Sequence, residues 1–338
     1  MNSVSKIDTI FIVGNSRSGT TMMGRILANN TKIFTFKELH FFGTIWTNDT
    51  VRLNKNHQVA LLSRLFCIQR YGIFNQDKCS EFNSSAEKLI KDKFNSPLEI
   101  YKLFLKTVTS ENLAQISCEQ TPKNLYYLEE ILISFPNVKV INLVRDQRDV
   151  LLSQKNKWKR RFLGAKEIPF SEALRSYFNY HPIITSMVWN SALLYTSKYL
   201  NHPKVKIVKF EDLLVDSENV IKDICKFLQI DFQKEMLRVP LVGSSTEIDT
   251  KSKFQFDQSK INKWEKGGLS DAEIYLSQKI SSKMMDKFDY KVKNFFYPPF
   301  SIIFYIVSFP LLLTLAFVFN IHRAGNIIEV IKKRFIVK

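Results

Sequence analysis

Gly14 and Gly19 enclose four residues, Asn15-Ser16-Arg17-Ser18, and are followed by Thr20 and Thr21. The spacing is that of the phosphate-binding loop G-x-x-x-x-G-K-[ST], with threonine standing where the lysine would be. Backbone N–H groups of such a loop at a helix N-terminus form a concave anion site, and the helix dipole adds to it. A tetrahedral anion is therefore expected between Gly14 and Gly19, gripped by Arg17 and by the hydroxyls of Ser18, Thr20 and Thr21. A nucleoside triphosphatase would also want a lysine at position 20 and an acidic residue after a strand to hold Mg²⁺. Thr20 removes the first requirement. The apolar run 138–144 is followed by Arg145 rather than by a lone carboxylate, so it offers a cation to a second anion, with Ser153 eight residues further on. The cofactor these residues ask for has two separated anionic ends and needs no metal.

The elements that must position these residues follow from hydrophobic patterning. Thr9 to Val13 is a continuous β-rich run that suits a central parallel strand, and Thr20 to Asn29 then carries helical spacing. Residues 138–144 and 205–210 read as two more buried strands, with helices predicted over 148–163, 171–200, 217–229 and 270–288 and across 57–110. Ser96 with Glu99, and Ser270 with Glu273, are capping-box signals for two of the helix starts. Strands alternating with helices predict an α/β fold, a P-loop-like parallel sheet flanked by helices.

The chain has 338 residues, 45% of them hydrophobic, and a formal net charge of +17. That favours anionic partners, phosphorylated cofactors and acidic lipids among them. Nucleic acid is not expected, because the basic residues are scattered rather than clustered around aromatics. Four widely spaced cysteines and five histidines show no metal-ligand spacing and no dense disulfide framework, so a reducing compartment is the default. Arg148 and Asp149 read as an ion pair at a helix start, and Trp189 and Trp264 as core aromatics.

Composition changes after Lys293. Phe300 to Phe319 is twenty residues without a charge, about 30 Å as a helix, flanked by Lys287, Lys291 and Lys293 on one side and Arg323, Lys332, Lys333 and Arg334 on the other. The expected organisation is thus a domain over 1–293 and, over 294–338, a hydrophobic membrane-associated segment with a basic tail. Residues 300–319 would form a transmembrane or re-entrant helix, with the catalytic part in the cytoplasm.

"GNSRSGTT" resembles the 5′-phosphosulfate loop of the sulfotransferase family, in particular the branch that includes tyrosylprotein sulfotransferases and many bacterial enzymes. "VINLVRDQRDVLLSQ" resembles its 3′-phosphate motif. The similarity extends through "FKELHFF", "EQTPKNLYYL", "VKFEDLL" and "SKINKWEKGGLS", over most of residues 9–290. It implies transfer of a sulfuryl group from 3′-phosphoadenosine 5′-phosphosulfate (PAPS) to an acceptor hydroxyl or amine, with a lipid or a saccharide among the acceptors it leaves open. Carried over by position, Gly14, Arg17, Ser18, Gly19, Thr20 and Thr21 match the 5′-phosphosulfate contacts, and Arg145 with Ser153 the 3′-phosphate pair. Glu38 falls where that branch places its catalytic base, and His40 is the next candidate. Ser245 and Lys263 lie near positions that contact the bridging region of the cofactor. One departure stands out: relatives commonly carry a lysine where this chain has Gln120, leaving Lys123 or Lys263 to supply the charge. Two rival readings remain beside this one, a metal-dependent P-loop kinase and a non-catalytic nucleotide-binding membrane protein.

Overall fold

A computed structural model describes residues 7–46, 53–90, 94, 96–241, 250–254 and 256–320. Five strands form one parallel sheet: β1 (Thr9–Gly14), β2 (Ile33–Thr35), β3 (Ile116–Glu119), β4 (Val138–Val144) and β5 (Val205–Lys209), in the order β2-β3-β1-β4-β5. A short antiparallel pair, β6 (Pro240–Leu241) and β7 (Thr250–Phe254), stands apart from it. The first helices are α1 (Thr20–Ala28), α2 (Lys55–Tyr71), α3 (Asn83–Leu89), α4 (Pro97–Glu111) and α5 (Leu128–Ser134). Then come α6 (Gln147–Lys155), α7 (Phe170–Phe178), α8 (Pro182–Ser197), α9 (Phe210–Val215) and α10 (Ser217–Leu228). The last two are α11 (Asp271–Lys287) and α12 (Ile302–Val318).

Strand alternation builds a core on each face of the sheet. Phe11, Val13, Val138 and Val140 pack with residues of α2 and α4, whereas Ile10, Ile12, Ile141 and Leu143 pack with residues of α1 and α10. A strand buried on both faces reads as an unbroken apolar run, which is why β1 and β4 stand out in the sequence. The registers Gly14 opposite Leu143 and Val144 opposite Lys209 bring the C-terminal ends of β1, β4 and β5 to one edge. Ligands of open parallel sheets bind outside that edge.

Two predicted helices are divided in the structure. The 148–163 helix ends at Lys155, and a 3-10 segment, Lys157–Leu163, takes over. The 171–200 helix breaks before Pro182, whose missing N–H suits a first turn, and the His181 side chain accepts from the Ile183 N–H at 3.3 Å to cap α8. The capping box of Ser270 and Glu273 is formed at the start of α11.

The transmembrane expectation is corrected. Among the described residues no helix is long and apolar enough to cross a membrane. α12 has 17 residues, about 26 Å of helix. It lies against the domain instead of projecting from it. His181 Nε2 sits 3.2 Å from the Tyr305 carbonyl, the Phe178 and Phe319 rings stack at 4.9 Å, and Arg175 donates to Asn320 Oδ1 at 2.7 Å. The basic tail falls outside the described residues.

Candidate active site

The loop after β1 requires both of its glycines. Gly14 has φ +150°, and a Cβ there would lie 2.4 Å from the Leu143 carbonyl oxygen; Gly19 has φ +96°, and its Cβ would lie 2.4 Å from the Phe210 ring. Arg17 adopts φ +74°, a left-handed conformation that costs a non-glycine residue free energy. Gly19 caps α1 without any side-chain hydrogen bond, so the first-turn N–H groups of Thr20 and Thr21 are left to a ligand or to water. Ser18 is fully buried, and its Oγ has no hydrogen-bond partner among the described residues. An orphaned buried hydroxyl beside uncapped helix donors is the arrangement that an anion would complete.

The second half of the site is built by the end of β4. Arg145 is 12% exposed, lies 3.9 Å from the Asp149 carboxylate and is held by three further contacts. It donates to the Lys260 carbonyl at 2.9 Å and to the Arg17 carbonyl at 3.3 Å, and it lies over the Phe210 ring at 4.4 Å. Its Nε is buried without a partner among the described residues. Arg17 Nε donates to Ser153 Oγ at 2.9 Å, which ties the loop directly to α6. Arg148 is engaged elsewhere: it forms a bidentate pair with Asp146, 2.6 Å at its shortest, and covers the Trp264 ring. Asp149 accepts from the Trp264 N–H at 3.0 Å, and burial pushes its carboxyl up to about 6 against the pull of Arg145.

Glu38 and His40 lie on the loop after β2 and form a pair, with His40 Nε2 3.4 Å from Glu38 Oε2. The side chains are 22% exposed for His40 and 41% for Glu38, so the carboxylate reaches solvent rather than the core. Burial raises its pKa above the usual carboxylate value, opposed by Lys157, Lys123, Arg160 and Arg17 in that order. The loop is anchored from beneath by Glu119, fully buried at the end of β3. Its carboxylate accepts from the Leu39 N–H at 3.2 Å, from the Thr121 N–H at 3.1 Å, and also from the Thr121 hydroxyl and the Asn124 amide. Thr121 in turn accepts from the His40 N–H at 3.2 Å. This scaffold holds His40 at φ +52°.

The cations around Glu38 include two that sequence reasoning missed. Lys157 and Arg160 belong to the 3-10 segment after α6, where the sequence predicts the end of a helix. Burial, and then the charges of Arg17 and Arg175, lower the Lys157 pKa to about 8. The segment that carries Lys263 is fastened to α6 through Trp264 and Asp149, at the Arg145 end. Gln120 faces the scaffold, donating to the Phe36 carbonyl at 3.1 Å and packing where a Cβ on Gly24 would fall. Ser245 lies outside the described residues. Among the described residues no three His, Cys, Asp or Glu side chains are grouped as metal ligands.

The family model described as the sulfotransferase family matches residues 9–234 of this sequence. The chain belongs to the sulfotransferase family. The fold agrees. A sulfotransferase domain from the curacin biosynthetic pathway is 19% identical with a TM-score of 0.53, over 86% of this chain and 100% of that one. A sulfotransferase domain of the Synechococcus PCC 7002 olefin synthase is 20% identical with a TM-score of 0.51, over 85% and 97%. Mouse sulfotransferase SULT7A1, solved with PAP, is more distant, at 12% identity and a TM-score of 0.43 over 83% and 85%. No curated protein matches the sequence. Membership favours sulfuryl over phosphoryl transfer, and the kinase reading is set aside.

Proposed function

We propose that this sulfotransferase moves a sulfuryl group from PAPS to an acceptor hydroxyl or amine in the cleft beside Glu38. The observation that carries the reading is the Arg17 to Ser153 hydrogen bond of 2.9 Å, which joins the two anion-binding ends that the sequence leaves 136 residues apart. The loop N–H groups, Arg17, Ser18, Thr20 and Thr21 would hold the 5′-phosphosulfate, and Arg145 with Ser153 the 3′-phosphate. The partnerless Ser18 Oγ and Arg145 Nε fit that assignment. PAPS supplies the activated sulfur–oxygen bond. Glu38 takes the acceptor proton as the acceptor oxygen or nitrogen bonds to sulfur, and the bond from sulfur to the 5′-phosphate breaks, releasing adenosine 3′,5′-bisphosphate (PAP). Arg17 and the loop donors stabilise charge on the transferring group and the leaving phosphate. Lys157 and Lys123, the two cations acting most strongly on Glu38, answer the charge that Gln120 lacks, and Lys157 also acts on Arg17. Calorimetry tests the cofactor: PAP should bind without Mg²⁺ and more tightly than ATP with Mg²⁺, and the reverse order would overturn the assignment.

Lys157 gives the reading a pH signature. An ammonium whose pKa is lowered to about 8 loses its charge as pH rises through that value, so kcat/KM should fall on an alkaline limb near pH 8. Lys157→Arg keeps the cation to far higher pH and is expected to move that limb upward. An unchanged limb in the variant, measured over pH 6–10 as an approximate window around these pKa values, assigns it to another group.

A further inference from the structure

α12 rests on the domain by one side only, and none of its side chains is fully buried. Ile302, Tyr305, Ser308, Phe309, Leu312, Leu315 and Ala316 are half-buried, while the rest of the helix is exposed and, apart from Thr314, apolar. Phe304, Val307 and Leu311 are 68%, 73% and 65% exposed. A helix that is hydrophobic all round and covered on one side only requires an apolar medium on the other.

The apolar surface does not stop at α12. On α7, Phe170, Leu174 and Tyr177 form an exposed stripe at helical spacing. From the stacked pair Phe319 and Phe178 the aromatic contacts continue to Tyr177 at 5.5 Å, to Trp158 at 5.9 Å and to Phe162 at 6.1 Å. Trp158 and Phe162 belong to the same 3-10 segment as Lys157 and Arg160, the cations acting on Glu38. The ridge therefore runs from the exposed helix to the margin of the site. Its exposed charges are Lys159 and Lys166 against Glu167, with Lys157 and Arg160 behind them turned toward Glu38. Aromatic side chains beside lysines and arginines suit the boundary between acidic headgroups and acyl chains.

We propose that α12 and this ridge dock in the plane of a lipid bilayer carrying acidic headgroups, and that the acceptor is an amphiphile whose hydroxyl reaches Glu38 from that surface. The domain supplies the polar side that an interfacial helix ordinarily carries itself, so the helix enters the bilayer face-on and does not span it. Charge complementarity selects the bilayer over a second copy of this chain, because exposed Lys159 and Lys166, on a chain of net charge +17, would face like charges across a contact between two copies.

This inference rests on the sulfuryl-transfer reading, and the test separates the two. Flotation of the full chain with phosphatidylcholine vesicles, with and without phosphatidylglycerol, is expected to show binding that the anionic lipid strengthens. One variant carrying Phe304→Glu, Val307→Glu and Leu311→Glu changes exposed side chains only, and should bind vesicles at least tenfold more weakly with PAP affinity unchanged. Labelled PAPS incubated with enzyme and a cellular lipid extract should yield a sulfated product in the organic phase that the variant makes far more slowly. No vesicle binding by a chain that still binds PAP would sink the docking and leave the sulfotransferase reading standing, whereas loss of PAP binding would sink that reading. A dimer abolished by the triple variant would make a second copy the occupant and overturn the proposal. Absence of label from the lipid extract, whatever happens to polar compounds, overturns the acceptor class.

Discussion

Glu38→Gln is expected to lower turnover by roughly 10²–10⁴-fold, the usual range for a lost general acid–base group, with affinity for PAPS and PAP little changed. Glutamine keeps the size and the hydrogen bonding of the side chain but cannot take a proton. Binding and chemistry then separate, because the proposed cofactor contacts belong to the loop, to Arg145 and to Ser153. The 3.4 Å pair of Glu38 and His40 allows either group to be the proton acceptor and the other its orienting partner, so His40→Gln is the necessary companion. A milder loss in His40→Gln keeps the role with Glu38, and the opposite order of severity transfers it. The pH profile provides an independent reading. Burial raises the Glu38 pKa, and the base is lost as pH falls through that raised value, so the acid limb of kcat/KM should lie above 4.5 and vanish from the residual activity of Glu38→Gln. Full turnover in Glu38→Gln would remove the carboxylate mechanism. A wild-type chain that binds PAP and transfers to no acceptor would favour the non-catalytic rival.

The cofactor half of the site was legible because it is written locally. Two glycines at fixed spacing follow a run buried on both faces, and an arginine caps another such run, so that β1, β4 and the two cation-bearing turns are visible without tertiary information. β2 and β3 were not. They have three and four residues, too few for a period to show, and their pairing is set by neighbours more than 80 residues away. Lys157 and Arg160 were missed for a related reason: the sequence continues the helix to 163, and only the fold ends it at Lys155 and turns the next segment toward Glu38. Glu119 was passed over in a quoted motif, since only the folded loop brings Leu39, Thr121 and Asn124 to its carboxylate. The hydrophobic segment was over-read in the other direction. Composition reports that α12 needs an apolar medium, but its direction relative to the domain depends on His181, Phe178 and Arg175, about 120 to 145 residues earlier in the chain.

Arg145→Ala should weaken PAP and PAPS alike by about 2–5 kcal/mol, or roughly 30- to 5,000-fold, the cost of losing one partner of a buried charge-paired hydrogen bond. The size follows from preorganisation. The guanidinium is already fixed between the Lys260 and Arg17 carbonyls and the Phe210 ring, so it loses little freedom when an anion arrives. Those same contacts raise a competing explanation, that Arg145 merely braces the loop against the 260–264 segment. AMP, which lacks the 3′-phosphate, separates the two. If Arg145 grips that phosphate, AMP affinity is nearly indifferent to the substitution; if it braces the loop, AMP and PAP weaken together. Arg145→Lys sharpens the comparison, because lysine restores the charge without the planar fork that reaches two carbonyls and an anion at once. Partial recovery of PAP affinity with AMP unaffected identifies a phosphate contact, and equal losses for both nucleotides in both variants return Arg145 to the scaffold.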